Sequence, residues 1–325
     1  RSGMHTYNNI GIFQKKYIME KSLKNRILNC ESDFLFYGLT PPKLTTDEAR
    51  ISEIAARQIE RIKRVNVDAL ILYDLQDESA RNSAPRPFPF TQTIQPDAYS
   101  RNYLSNLKLP KIIYKSVGKY QPEEFAHWAK NADNDISVFV GSPSREQTNN
   151  LSLHDAYRIK NEENSNMIVG GVTIPERHFA KGDEHLRLFG KIDSGCLFFV
   201  SQCVYSVNYS LDFLSDYYYT AKEQNRKMVP IIFTLTPCGS IKSLEFLEWL
   251  GINIPHWLNN ELNHTTDILQ MSVETCCNTA KNIYNFCKEK SIPIGFNIES
   301  VAIRREEIEA SIELVNAVSK IMGRK

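Results

Sequence analysis

What this sequence lacks narrows what it can be. None of its seven cysteines forms a CxxC pair. Their odd number and apolar neighbours fit reduced, buried thiols of a cytoplasmic protein rather than a disulfide framework. The seven histidines are scattered, with no ligand pair at helical or strand spacing, so no metal site is expected. No apolar run is long enough to cross a bilayer, and the first thirty residues are too mixed and polar for a secretory signal. Charge of one sign is not in excess either. A formal net charge of +1 gives no electrostatic case for nucleic acid or an anionic membrane. No glycine-rich phosphate loop follows any apolar run, which disfavours a nucleotide-binding Rossmann fold.

What is present is alternation. Short apolar, β-branched runs recur at Phe34–Gly38, Val67–Tyr73, Lys111–Val117, Ile136–Gly141, Met167–Thr173, Leu197–Gln202, Val229–Leu235 and Pro293–Ile298. Helical patterns lie between them. One opens at the capping box Thr45-x-x-Glu48, and others cover Pro122–Ala132, Leu153–Asn161, Asp183–Ser194, Ser210–Gln224, Ile241–Leu250, Thr265–Lys290 and Arg304–Met322. Ile174–Gly182 and residues 74–96 read as loops. Eight strand–helix units in 325 residues predict a parallel sheet closed into a (β/α)8 TIM barrel. Residues 1–31 read as an N-terminal extension packed outside or beneath that barrel, with Arg1-Ser2-Gly3 as a tag remnant. Residues 32–325 read as one barrel domain.

In such a barrel, chemistry belongs to the loops that follow the strands. The second of these loops is dense in polar groups, with Asp74, Gln76 and Glu78. Ser116 ends the third strand and Ser142 the fourth. Glu176 and His178 follow the fifth, Gln202 ends the sixth, and Thr236 follows the seventh. Asn297 and Glu299 close the list at the eighth. A glutamine at the tip of an apolar strand needs a partner, either a ligand or a neighbouring loop.

The order of these residues resembles the methylenetetrahydrofolate reductase family. Ile174-Pro175-Glu176-Arg177-His178 is similar to that family's Y-P-E-x-H loop. Leu188-Phe189-Gly190-Lys191-Ile192-Asp193-Ser194-Gly195 is similar to its L-x-x-K-x-D-A-G helix, and Ser201-Gln202 to its T/S-Q strand end. Val117-Gly118 with Glu123-Glu124-Phe125, and Leu250 to Pro255, extend the likeness over residues 33 to 322. The resemblance implies a homologous reductase that passes hydride from NAD(P)H through FAD to a folate one-carbon unit, in methionine biosynthesis. It implies that Gln202 orients the pterin, with Gln76, Ser142 and Thr236 also facing substrate. Lys191 and Glu184 would contact the flavin, supported by His178, Glu176 and Ser116.

Two departures bear on the chemistry. The family's first strand carries a glutamate that protonates the folate nitrogen, and Gly38 stands in its place. The aspartate that ends the family's fourth strand is replaced by Ser142. Asp74 or Glu78 is then the expected acid over the barrel mouth. Loss of both carboxylates also leaves open a folate-dependent one-carbon transferase without redox chemistry. A non-catalytic folate-binding subunit stays open too, with the Phe88–Phe90 segment suited to a partner chain or a homo-oligomer.

Overall fold

The computed structural model describes residues 22–142, 150–300 and 303–324. Eight parallel strands close on themselves in sequence order: β1 Phe34–Leu39, β2 Ala69–Leu72, β3 Lys111–Ser116, β4 Ile136–Val140, β5 Ile168–Thr173, β6 Phe199–Cys203, β7 Ile231–Leu235 and β8 Ile294–Glu299. Gly38 lies level with Glu299 across the closing pair β1–β8. The (β/α)8 barrel expected from the alternation is the fold.

Alternation along each strand sorts its residues into two cores. Leu35, Tyr37, Leu70, Leu72, Phe233 and Ile298 point outward and join the helix layer. Phe34, Phe36, Ile71, Ile112, Val138, Phe198, Val200 and Ile232 point inward and fill the barrel. The helix α1, Leu23–Leu28, adds Leu23 and Ile27 to the inner cluster. It lies under the strand starts, where Lys24 donates to the Asn166 carbonyl and Arg26 pairs with Asp68. The floor of the barrel is therefore apolar and covered. The rest of the expected extension, residues 1–21, lies outside the described residues.

The helices alternate with the strands: α2 Glu48–Ile62, α3 Pro96–Tyr103, α4 Pro122–Asn131, α5 Leu153–Glu163, α6 Pro175–Lys181, α7 Glu184–Asp193, α8 Val207–Glu223, α9 Ile241–Trp249, α10 His256–His264, α11 Ile268–Lys290 and α12 Arg305–Ile321. Several depart from expectation. The cap of α2 is Asp47, whose carboxylate accepts from the Arg50 N–H, rather than Thr45. The segment expected as a loop contains α6. Pro175 opens it, where a missing N–H costs nothing, and Gly182 closes it at φ 66°, a conformation glycine adopts without a side-chain clash. The end of the 74–96 loop runs into α3 at Pro96, and α10 was not expected. Together α9 and α10 form an insertion between β7 and the long α11.

That insertion helps cover the mouth. The Trp249 indole N–H donates to the Ala84 carbonyl at 2.9 Å, and Asn82 donates to the Trp249 carbonyl at 3.3 Å. The Arg86 guanidinium lies 4.9 Å from the Phe246 ring centre and 5.6 Å from that of Trp249. Phe88 meets Phe246 edge-on at 5.4 Å. The aromatic–proline run of the second loop is thus spent within the chain, against α9.

Candidate functional site at the barrel mouth

The ends of β2, β7 and β8 carry a chain of polar groups at the C-terminal end of the barrel. Asn297 donates from Nδ2 to the Tyr73 hydroxyl at 2.8 Å and to Thr234 Oγ1 at 3.1 Å. The Tyr73 hydroxyl in turn bonds the Glu299 carboxylate, which also accepts from Thr236 Oγ1 at 3.0 Å. Asn297 Oδ1 is buried with no protein partner. Glu299 is half-buried at the rim, and loss of water around its carboxyl raises its pKa above the ordinary glutamate value. The two hydroxyl donors oppose that rise. Tyr73 packs edge-on against Tyr114 at 4.9 Å, which gives the polar chain an aromatic wall.

Gly38 belongs to the same arrangement. A Cβ at that position would lie 2.7 Å from the Tyr73 hydroxyl oxygen and 2.8 Å from the ring edge. No side chain fits there while Tyr73 holds its place. The carboxyl that stands at this level of the barrel is Glu299, on the neighbouring strand.

Asp74 and Glu78, the acids expected over the mouth, are placed differently. Asp74 is buried. Its carboxylate accepts from the Ser116 N–H at 2.7 Å and pairs with Lys119, and its carbonyl accepts from Ser116 Oγ at 2.8 Å. Both Asp74 and Ser116 are consumed in joining the second loop to the third. Glu78 precedes a single 3-10 turn, Ser79–Arg81, and interacts with Arg86. Gln76 donates to the Gly141 carbonyl at 3.0 Å and braces the ends of β2 and β4. Ser142 is the last described residue before a gap at 143–149. Thr236 faces Glu299, as above.

Gln202 sits where the β6–β7 ladder slips between Val200 and Cys203. Such a slip re-aims a side chain. Ser201 fills the break: its Oγ accepts from the Thr234 N–H at 2.9 Å and donates to the Gln202 carbonyl. The Gln202 amide is half-buried and donates to the Leu250 carbonyl at 2.9 Å, so it fastens the end of α9 to the rim. Glu176 lies nearby and accepts backbone N–H bonds from itself and from Asn253. Burial pushes its carboxyl up to about 7 despite those bonds, and its Oε2 has no partner.

Three of the residues that the resemblance assigns to a flavin, Glu184, Lys191 and His178, lie in another layer, between β5 and its helices. Glu184, its side chain 1% exposed, accepts from Thr173 Oγ1 at 3.0 Å and from the Ile174 N–H at 2.9 Å, while Arg177 and Arg187 face its other oxygen. Lys191 donates to the Val172 carbonyl at 2.7 Å, and burial lowers its pKa. His178 is bonded to Asp216 at 2.8 Å on the outer side of α6. With Ser116 already held by Asp74, these groups do not form an open cradle, and they do not fit a flavin bound through them.

Of the mouth residues, Asn297 and Glu299 stand among the sequence candidates without a role, and Tyr73 is not among them. A signal for two of them was there. Asn297 and Glu299 are two apart in a strand, so they share a face, and glycine at 295 continues that face toward the barrel interior. Tyr73 carried no signal, because its role depends on the space left by Gly38.

No protein-family model matches this chain, and no curated protein matches it. Among solved structures, it is similar to a GH113 β-1,4-mannanase at 13% identity and TM-score 0.51, covering 90% of this chain and 98% of that one. That likeness concerns the barrel alone. It is also similar to an uncharacterized protein from Clostridium thermocellum that binds two copies of 5-methyl-5,6,7,8-tetrahydrofolic acid. Here the identity is 50% and the TM-score 0.83, over 92% of this chain and 99% of that one. At that identity and coverage, this chain belongs to the same family as the Clostridium thermocellum protein.

Proposed function

We propose that the barrel mouth binds a reduced folate carrying a one-carbon group, and that the chain serves folate-dependent one-carbon transfer without flavin chemistry. The observation that carries this reading is the 50% identity to a protein that binds 5-methyl-5,6,7,8-tetrahydrofolic acid. The chemistry of the mouth supports it. A pterin presents adjacent N–H donors and a carbonyl acceptor along one edge, and a carboxyl and an amide are suitable partners for that edge. Glu299 offers the first and Gln202 the second. Tyr73 and Tyr114 offer aromatic surface to the ring.

Glu299 also has the character of a proton source. A carboxyl held in its acid form to higher pH can give its proton to a folate nitrogen while the N–C bond breaks and the carbon passes to the nucleophile of a second substrate, which is the task of the acid that Gly38 cannot perform. The reductase reading needs FAD and NAD(P)H. Lys191, Glu184, His178 and Ser116 are engaged with protein groups and are not arranged to hold that flavin.

Calorimetric titration of the purified protein with 5-methyltetrahydrofolate tests the proposal. Saturable binding is expected. Glu299→Gln keeps the side chain's shape and removes its acidity. It is expected to weaken binding about tenfold, or roughly 1.4 kcal/mol. Gln202→Ala is expected to weaken binding by a similar factor. Absence of folate binding by the wild type would end the reading. A yellow preparation that oxidises NAD(P)H in the presence of folate would replace it with the reductase.

A further inference from the structure

Away from the mouth, the turn between α6 and α7 brings together three side chains that the sequence keeps apart. One nitrogen of His178, one nitrogen of His185 and one carboxylate oxygen of Asp216 all lie within 4.8 Å of one another. The two rings meet edge to face at 5.2 Å. We propose that His178, His185 and Asp216 form a binding site for a transition-metal dication of the zinc type, on the outer face of the barrel between α6, α7 and α8.

The donor set supports this assignment. Two imidazoles and one carboxylate suit zinc and its neighbours among the divalent transition metals, and suit calcium or magnesium poorly. Burial supports it too. His178 and His185 are 5% and 8% exposed, while the Asp216 side chain is 56% exposed. The imidazoles are thus held in place by packing, His178 against Phe213 at 5.9 Å, and the carboxylate side remains open to solvent. An ion can enter there and keep water as its remaining ligand.

A second observation is independent of the clustering. The Nδ1 atoms of both histidines are buried with no hydrogen-bond partner, and so is Oδ1 of Asp183, two residues before His185. Buried polar atoms are normally satisfied. Three such atoms, on the two histidines and on Asp183 two residues before His185, leave this turn short of polar partners, which an ion and the water it carries would supply. Such an ion would tie α6 and the first turn of α7 to the middle of α8. It stands apart from the folate reading and does not depend on it.

Cobalt(II) and zinc(II), added to chelator-treated full-length protein, test the site. One equivalent of metal per chain is expected. The cobalt complex should show the visible bands of a low-coordinate site of nitrogen and oxygen donors, with no thiolate charge-transfer band. Asp216→Asn alters an exposed side chain and leaves the fold intact. It is expected to reduce affinity by at least the 10- to 100-fold typical of an outer-shell partner, and to remove the rise in unfolding temperature that zinc gives the wild type. His185→Gln is expected to do the same. No stoichiometric uptake would overturn the proposal. So would a thiolate band, which would put the metal on one of the seven cysteines, or uptake unchanged in both variants.

Discussion

The two sides of the barrel use polar side chains in opposite ways. On the β5 side, Glu184 and Lys191 have their polar atoms taken up by backbone and by neighbouring side chains. On the β1–β8 side, Asn297, Tyr73, Thr236 and Glu299 also bond one another, but the series ends on a half-buried carboxyl at the rim with a raised pKa. Polar residues at strand ends are therefore not equivalent. What marks a site is a group left with capacity to bind something else, and a buried carboxylate with every bond filled has none.

Removing Glu184 should give the largest effect on stability. Glu184→Ala strands the Thr173 hydroxyl, the Ile174 N–H and Arg177, so unfolding in urea is expected to show a loss of about 3–5 kcal/mol. Glu299→Ala should cost about 1–2 kcal/mol by the same measurement, since it leaves two hydroxyls unpaired at a partly open rim. Equal losses at the two positions would erase the distinction between the sides.

Next in size is Gly38→Ala, expected to cost about 1–3 kcal/mol by overpacking against Tyr73. Combining it with Tyr73→Leu should recover part of that loss, and a double-mutant cycle reads the coupling directly. Additive losses would show that the ring moves freely aside.

A last effect, spread over a range of pH, sharpens the comparison. The Glu176 carboxyl is raised from 4.5 to about 7 in the folded state. The folded protein therefore holds this proton more tightly than the unfolded chain does. Its contribution to stability is greatest below pH 4.5 and declines as pH rises toward 7. Glu176→Gln should flatten stability across that window and be the more stable protein above it, as measured by unfolding at a series of pH values. An unchanged slope would place the titration elsewhere.

The barrel was legible in the sequence because its signal is repeated. Eight apolar runs separated by helical spacing leave little else to build, and the strand ends lie within a few residues of those expected. Short helices were harder. Pro175 and Gly182 are recognisable start and stop signals for α6, but seven residues carry too little periodicity to separate a helix from a loop. The polar residues at strand ends were found, while their availability was not. Asp74 reads as a free acid until Ser116 and Lys119, more than forty residues away, are seen on it. His178 and His185 are seven apart, a spacing that one straight helix would place on the same side. The chain between them breaks at Gly182, so their meeting depends on a turn that no ligand motif encodes.

Tyr73 resting over Gly38 has a consequence for how this family can change. A carboxylate cannot enter the first strand at position 38 by one substitution, because the ring stands in its way. Shrinking the ring first takes a hydrogen-bond donor from the acid on the eighth strand. A side chain at position 38 and the tyrosine's bond to Glu299 thus compete for one space, and this chain can gain the first only by giving up the second.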